Sequence, residues 1–362
     1  MLMKVNPKQL QNGCIIARDV QLLSNQVLVR KKTVISDEHI EAIQAFLVDE
    51  VEVEAKLVNG EPFKPTEVIE EEKKQPGIIE QKGFLHEYLD AVKAYKKLFN
   101  SWQAGMKVEI INVRKILLPL IEKLDENPEE LLSIHHYASK EDYISHHAVA
   151  VGVLSAFLGR KLNLGKADII QLGISGAMAD AGMSKVSSAL LSKKGSLTKE
   201  DFDEIKKHPM YSYQMLKGLP GVTDGVLLAV LQHHEREDGT GYPLSVGSNK
   251  LHRFSKIIAV IDVFHAMTSE RSYKAKKSPF KVIEEITKDN FGKFDHTIVQ
   301  TLCNCATKFT VGTKVRLNND EIGEVVFIEP NSPIRPMIKI EATGEFIKLT
   351  NRHDLYIEEI IN

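Results

Sequence analysis

The sequence predicts a multi-domain α+β chain: an all-α helical centre flanked by a small mixed α/β N-terminal module and a small β-rich C-terminal module. Three observations carry this. From residue 77 to about 309, apolar residues recur at three- and four-residue steps, as in Val108, Ile111, Val113, Ile116, Leu117 and Leu120. Beyond Val311 the pattern changes to short β-type runs. Ahead of the helices lies a stretch rich in proline and charge. The expected divisions are a module over 1–56, a linker over 57–78, a helical domain over 79–309 with its core at about 131–309, and a β-rich module over 310–362.

In the first module, β-type runs at 14–17, 26–30 and 51–54 flank a helical stretch that follows Ser36. Ser36 suits an N-cap, and Asp37 and Glu38 suit the positive end of the helix dipole. Pro62, Pro65 and Pro76 with the run Glu70-Glu71-Glu72-Lys73-Lys74 mark the linker, because proline lacks a donor and clustered charges resist packing. In the centre, Asn127-Pro128 reads as a cap followed by proline in the first turn. A long helix is expected over 143–162, ending near Gly165, then an apolar helix over 169–178 and a Gly- and Ser-rich break. Thr198 and Asp201 resemble a capping box for a helix that runs to His208-Pro209. Later helices are expected over 222–232, 255–269, 279–288 and 297–308. In the last module, Asn318-Asn319-Asp320 and Thr343-Gly344 separate β-type runs, which predicts a small antiparallel barrel or meander.

Composition narrows the function. The 362 residues are 43% hydrophobic and 27% charged, as in an ordered globular protein. A formal charge of −2 gives no whole-molecule attraction to nucleic acid or to an anionic membrane. No run approaches the roughly 18 apolar residues of a membrane span, and the start MLMKVNPKQLQNG lacks the apolar stretch of a signal peptide. Three cysteines are too few for a disulfide framework, and Cys303 and Cys305 read as inert on an amphipathic helix. The expectation is a cytoplasmic protein. Histidine is unevenly spread: nine of the 13 fall between His135 and His265.

The chemistry should lie there. His233-His234 at a helix end precede a glycine-interrupted loop with Gly239, Gly241, Tyr242 and Pro243. Adjacent imidazoles on such a turn can face one ion. His147 lies in an apolar helix, Asp180 follows another, His208 stands at a helix break, and Asp262 is enclosed by Ile261 and Val263. Each alone reads as a satisfied core polar group. Together they offer four imidazoles and two carboxylates on a helical scaffold, and mixed N and O ligation suits Fe, Mn or Zn.

Residues 233–243 match the HHExxDGxGYP signature at every fixed position, and the chain here resembles the HD-GYP proteins. These are a branch of the HD hydrolases typified by phosphodiesterases of the bacterial second messenger cyclic di-GMP. The likeness spans residues 140–290 and includes the run from Asp262 to Lys274, similar to the family's D-x-F-D-A-M-T-S-x-R-x-Y-R/K segment. The resemblance implies a site for one or two divalent transition ions (Fe, Mn or Zn) held by His147, Asp180, His208, His233, His234 and Asp262. Asp180 would be the bridging, catalytic carboxylate. Arg271 and Lys274 would contact the phosphates of cyclic di-GMP or a related cyclic dinucleotide. A homodimer or a protein partner is left open.

The chain departs from the family at its defining His-Asp pair. Gly176-Ala-Met-Ala-Asp-Ala-Gly-Met places Ala179 at the histidine and Met183 at the lysine, and His265 replaces an aspartate. Tyr143 stands where some members carry a glutamate for a third ion. One ion position keeps Asp180, His208, His233 and His234, while the other keeps His147, Asp262 and the shared Asp180. The expectation is a cyclic dinucleotide receptor or weak hydrolase, against a fully active phosphodiesterase or a structural interaction module without a nucleotide.

Overall fold

The computed structural model describes residues 2–21, 27–45, 51–65, 83–126, 128–138, 142–193, 195–269, 276–288, 292–307, 309–330 and 332–361. The chain divides into two compact units, Met1–Glu80 and Gln81–Asn362.

The first unit contains β1 (Leu2–Val5), β2 (Val20–Gln21), β3 (Val27–Val29), α1 (Asp37–Ala45) and β4 (Val51–Glu54). Strands β1 and β4 pair antiparallel with Val5 opposite Val51, and β2 pairs with β3. Val5, Ile16, Ile43 and Val53 are fully buried in its core. Residues 14–17, expected as a strand, make single bridges instead, Ile15 to Val34 and Ile16 to Val53. Neighbouring residues there serve different partners, so no ladder extends from either.

The second unit opens with α2 (Phe84–Gln103), α3 (Ile110–Glu122), α4 (Pro128–Ser133), α5 (Tyr143–Lys161) and α6 (Lys166–Met178). Then follow α7 (Ser188–Leu191), α8 (Lys199–Ile205), α9 (His208–Leu216), α10 (Asp224–Gln232), α11 (Arg253–Thr268), α12 (Pro279–Lys288) and α13 (His296–Ala306). Helix α5 is buried without interruption from Ser145 to Gly159. That is the behaviour of a helix apolar on all sides, and it makes α5 the central post of the unit. Helix α6 returns antiparallel against it at very short range. A Cβ on Gly152 would stand 2.8 Å from the Gly173 carbonyl oxygen, and one on Gly176 would stand 2.8 Å from that of Val151. Only glycine allows this approach, and it brings the start of α5 beside the end of α6. The capping box of α8 forms as expected: the Asp201 amide donates to Thr198 Oγ1 at 3.2 Å and the Thr198 amide to Asp201 Oδ2 at 2.9 Å.

The chain ends in one antiparallel sheet built from β5 (Lys314–Leu317), β6 (Ile322–Phe327), β7 (Met337–Ile340), β8 (Phe346–Lys348) and β9 (Ile357–Ile361), in the order β8-β7-β6-β5-β9. Both expected turns occur: Asp320 and Gly344 have φ of 66° and 74° and link β5 to β6 and β7 to β8. Alternate residues, among them Val315, Leu317, Val325 and Ile338, point into a core that Phe280 of α12 completes. Buried Arg335 fastens this sheet to α12 through Glu284, with its Nη2 2.7 Å from both carboxylate oxygens. Its Nη1 donates to the Leu349 carbonyl oxygen at 2.7 Å. Burial pushes the Glu284 carboxyl up, but hydrogen bonds from Arg335 and Lys288 outweigh it and hold the group down at about 2. No described helix is long and apolar enough to cross a membrane.

Candidate metal centre

Six residues meet at one end of the α5–α6 pair. His147 lies in the first turns of α5, and Asp180 follows α6 at the start of a 3-10 turn, Ala181–Lys185. His208 is the first residue of α9, His233 ends α10 with His234 next to it, and Asp262 lies within α11. Their ligand atoms form two groups, each with all atoms within 4.8 Å of one another: Asp180, His208, His233 and His234, and His147, Asp180 and Asp262. Asp180 belongs to both.

The geometry is close throughout. Asp180 Oδ1 lies 3.0 Å from His208 Nε2 and 3.5 Å from His233 Nε2. Its Oδ2 lies 3.4 Å from His147 Nε2, which is also 2.8 Å from Asp262 Oδ1. His234 Nδ1 is 3.6 Å from Asp262 Oδ2. His208 and His233 are aimed by their own backbone. The Nδ1 atoms face the carbonyl oxygens of Ile205 at 2.7 Å and Val230 at 2.8 Å, which fixes the proton on Nδ1. Both Nε2 atoms are thereby turned inward, 3.2 Å apart. Such outer hydrogen bonds are the usual means of orienting an imidazole toward a metal.

Charge follows from this packing. Burial opposes ionisation of Asp180, but hydrogen bonding with His208 and His233 and the charge that His208 and His147 gain when protonated more than offset it and hold its carboxyl well below the usual range. Asp262 is likewise held low, its burial outweighed by the hydrogen bond with His147 and the charge of nearby imidazoles. Burial drives His234 well below its ordinary value, with His233 adding to the effect, so its imidazole is neutral and free to ligate. On His208 the penalty of burial is exceeded by the attraction of Asp180, which raises its affinity for a proton. Two deprotonated carboxylates with inward-facing imidazole nitrogens are a donor set that fits a divalent transition ion, which would take the place of that proton.

The turn that carries Asp180 is clamped to α9. The Gly182 amide donates to Ser212 Oγ at 2.7 Å, and Ser212 Oγ–H donates to the Ala179 carbonyl oxygen at 2.6 Å. A Cβ on Gly182 would stand 2.1 Å from the His208 carbonyl oxygen, so only glycine lets the turn lie this close. Ala179 is buried in the helical core, and Met183 is partly buried against it. Neither side chain offers a nitrogen or oxygen ligand.

The loop after His234 is built around Glu235, whose role sequence reasoning missed. This buried carboxylate accepts the amides of Leu244 at 2.6 Å, Ser245 at 3.1 Å and Val246 at 3.1 Å. A signal was present, since an acidic residue directly after a buried His-His pair and before a glycine loop must find donors. Gly239 adopts a φ of 78°, Tyr242 packs on His234 with ring centroids 4.7 Å apart, and Tyr242–Pro243 is cis. Gly241 passes so close to the chain that a Cβ would stand 2.4 Å from the Glu235 Cα. Arg271 and Lys274 lie outside the described residues.

Residues 130–298 match the HD domain family. The chain is 28% identical over 250 residues to the cyclic di-GMP phosphodiesterase PA4108 of Pseudomonas aeruginosa, covering 69% of this chain and 60% of that protein. It is 31% identical over 170 residues to the 3'3'-cGAMP-specific phosphodiesterase 3 of Vibrio cholerae, covering 47% of this chain and 36% of the relative. The matched stretches therefore span less than two thirds of either relative. In fold, the chain is similar to Bd1817, an HDG"Y"P protein from Bdellovibrio bacteriovorus, with a TM-score of 0.51 at 15% identity, covering 84% of this chain and 99% of that one. An HD domain over 130–298, the intact HHExxDGxGYP signature and phosphodiesterase relatives on either side of the cyclic di-GMP and cGAMP divide together support placing this region with the HD-GYP proteins.

Proposed function

We propose that this chain is a metal-dependent cyclic dinucleotide receptor with weak phosphodiesterase activity, its ligand being cyclic di-GMP or a close relative. The observation that carries the reading is the sharing of Asp180 between a four-residue and a three-residue group of ligand atoms. In this reading Asp180, His208, His233 and His234 hold one Fe, Mn or Zn ion tightly. His147, Asp180 and Asp262 hold a second ion weakly, because Ala179 adds no donor. When bound, such ions supply positive charge against a phosphodiester. Asp180 fixes the separation of the two positions, His208 and His233 are held rigid by their backbone partners, and Tyr242 covers His234. Arg271 and Lys274 are proposed to take the phosphate charge. The lysine that Met183 replaces could also have donated a proton, so turnover suffers more from its loss than binding does.

Calorimetry of the Mn-loaded protein with cyclic di-GMP, paired with turnover of labelled nucleotide, tests this. Saturable binding with linear product accumulating slowly is expected. No binding by the metal-loaded protein overturns the receptor, and turnover at the typical enzyme median of ~10 per second overturns the claim of weak hydrolysis.

A further inference from the structure

His265 has no place in the ligand set, yet it is fully buried directly behind one of its members. Its Nδ1 stands 3.0 Å from Nδ1 of His147, and Ser269 Oγ lies 3.4 Å from that Nδ1 and 3.3 Å from Nε2. Two imidazole nitrogens at that distance need one proton between them. The other nitrogen of His147 faces Asp262 and Asp180. We infer that His265 is a positioning residue that sets the tautomer of His147 and thereby controls the affinity of the three-residue group for its ion; this rests on the metal reading above.

The heavy atoms accommodate two arrangements. Without an ion, His147 carries its proton on Nε2 and donates to Asp262, and His265 Nδ1–H donates to His147 Nδ1. With an ion, His147 must offer the Nε2 lone pair, so its proton sits on Nδ1 and is accepted by His265 Nδ1. His265 then carries its own proton on Nε2, on the side away from His147. The two neutral rings hold two protons before and after, so the exchange needs no change in net charge. A partner that could only donate would lock His147 in the first arrangement. One that could only accept would favour the second.

The substitutions follow from that polarity. His265→Leu removes the nearer partner of His147 Nδ1 and leaves the Tyr143 hydroxyl, 3.3 Å away, which can donate or accept and so selects neither tautomer; His265→Asp leaves an obligate acceptor. Apo-protein is titrated with Zn, and ¹⁵N spectra of the imidazoles report which nitrogen of His147 carries the proton. Loss of an outer-shell partner typically costs 10–100-fold in metal affinity. His265→Leu should therefore weaken the second equivalent of Zn at least ~10-fold and the first less than twofold, with His265→Asp restoring the second. In the loaded wild type, His147 Nδ1 should carry the proton. The inference is overturned if His265→Leu binds both equivalents as the wild type does, if His265→Asp fails to restore the second, or if Nδ1 is unprotonated in the loaded protein. A wild type that takes up one equivalent also overturns it but leaves the four-residue site standing. Uptake of none overturns the metal reading itself.

Discussion

Replacing Glu235 by glutamine asks whether the loop beside the cluster is held by one buried carboxylate. Oε1 accepts from Leu244 and Ser245, at 2.6 and 3.1 Å, and Oε2 accepts from Val246 at 3.1 Å. A glutamine can put its single oxygen at the first position and keep two of these bonds, now to a neutral acceptor. Its amide NH₂ then faces the Val246 N–H, so one bond is lost and two donors confront each other. With hydrogen bonds to charged groups worth about 1.5–3 kcal/mol, the change should cost roughly 2–4 kcal/mol. The volume of the side chain is unchanged, which separates this from a packing defect. Denaturant unfolding measures the global part, and amide hydrogen exchange at residues 244–246 measures local opening. Faster exchange at those three amides with weaker cyclic di-GMP binding is expected. Wild-type exchange at all three together with an unshifted unfolding midpoint would refute the reasoning.

Gly182→Ala should unseat the Asp180 turn, because the added Cβ meets the His208 carbonyl at 2.1 Å and backbone cannot yield there; a loss of at least about 1–3 kcal/mol and of tight metal binding is expected by thermal unfolding and metal analysis. Glu284 makes stability pH-dependent: its carboxyl is held at about 2 against an ordinary 4.5. A depressed folded value stabilises above the unfolded one and is lost as pH falls, so about 3 kcal/mol should disappear between pH 4.5 and 2. Comparing urea unfolding of wild type and Glu284→Gln across that window should give curves that converge at the acid end. The pair Ala179→His and Met183→Lys should tighten the second ion and raise turnover by ~10²-fold or more, as typical for a restored catalytic group; unchanged metal content and rate would show that these positions do not correspond to the family's histidine and lysine.

The helical centre was legible because burial on all sides of α5 and the steps of apolar residues leave a direct trace in the sequence. The turns of the last sheet were equally readable, since Asp320 and Gly344 mark the left-handed backbone that such links use. The division of the six ligand candidates into groups of four and three came from family likeness; the packing of α5 on α6 accounts for His147 lying beside Asp180, and α9, α10 and α11 bring in the other four. Contacts between distant residues were not readable. Nothing local announces that His265 lies 3.0 Å from His147, or that Ser212 bonds to the Ala179 carbonyl, 33 residues away. The Glu284–Arg335 pair was hidden for the same reason, as 51 residues separate its members. The first module was read less well because runs of two to four residues carry little periodicity: Leu2–Val5 was not anticipated as a strand, and 14–17 forms bridges only.

The shared carboxylate is the centre of the account, and anomalous X-ray scattering from crystals grown with Mn or Zn tests it most directly. The expected result is a strong peak within bonding distance of Asp180, His208, His233 and His234. A weaker peak should lie on the other side of Asp180, toward His147 and Asp262. A metal-replete crystal with no anomalous peak at Asp180, or with its peaks at other residues, would contradict it.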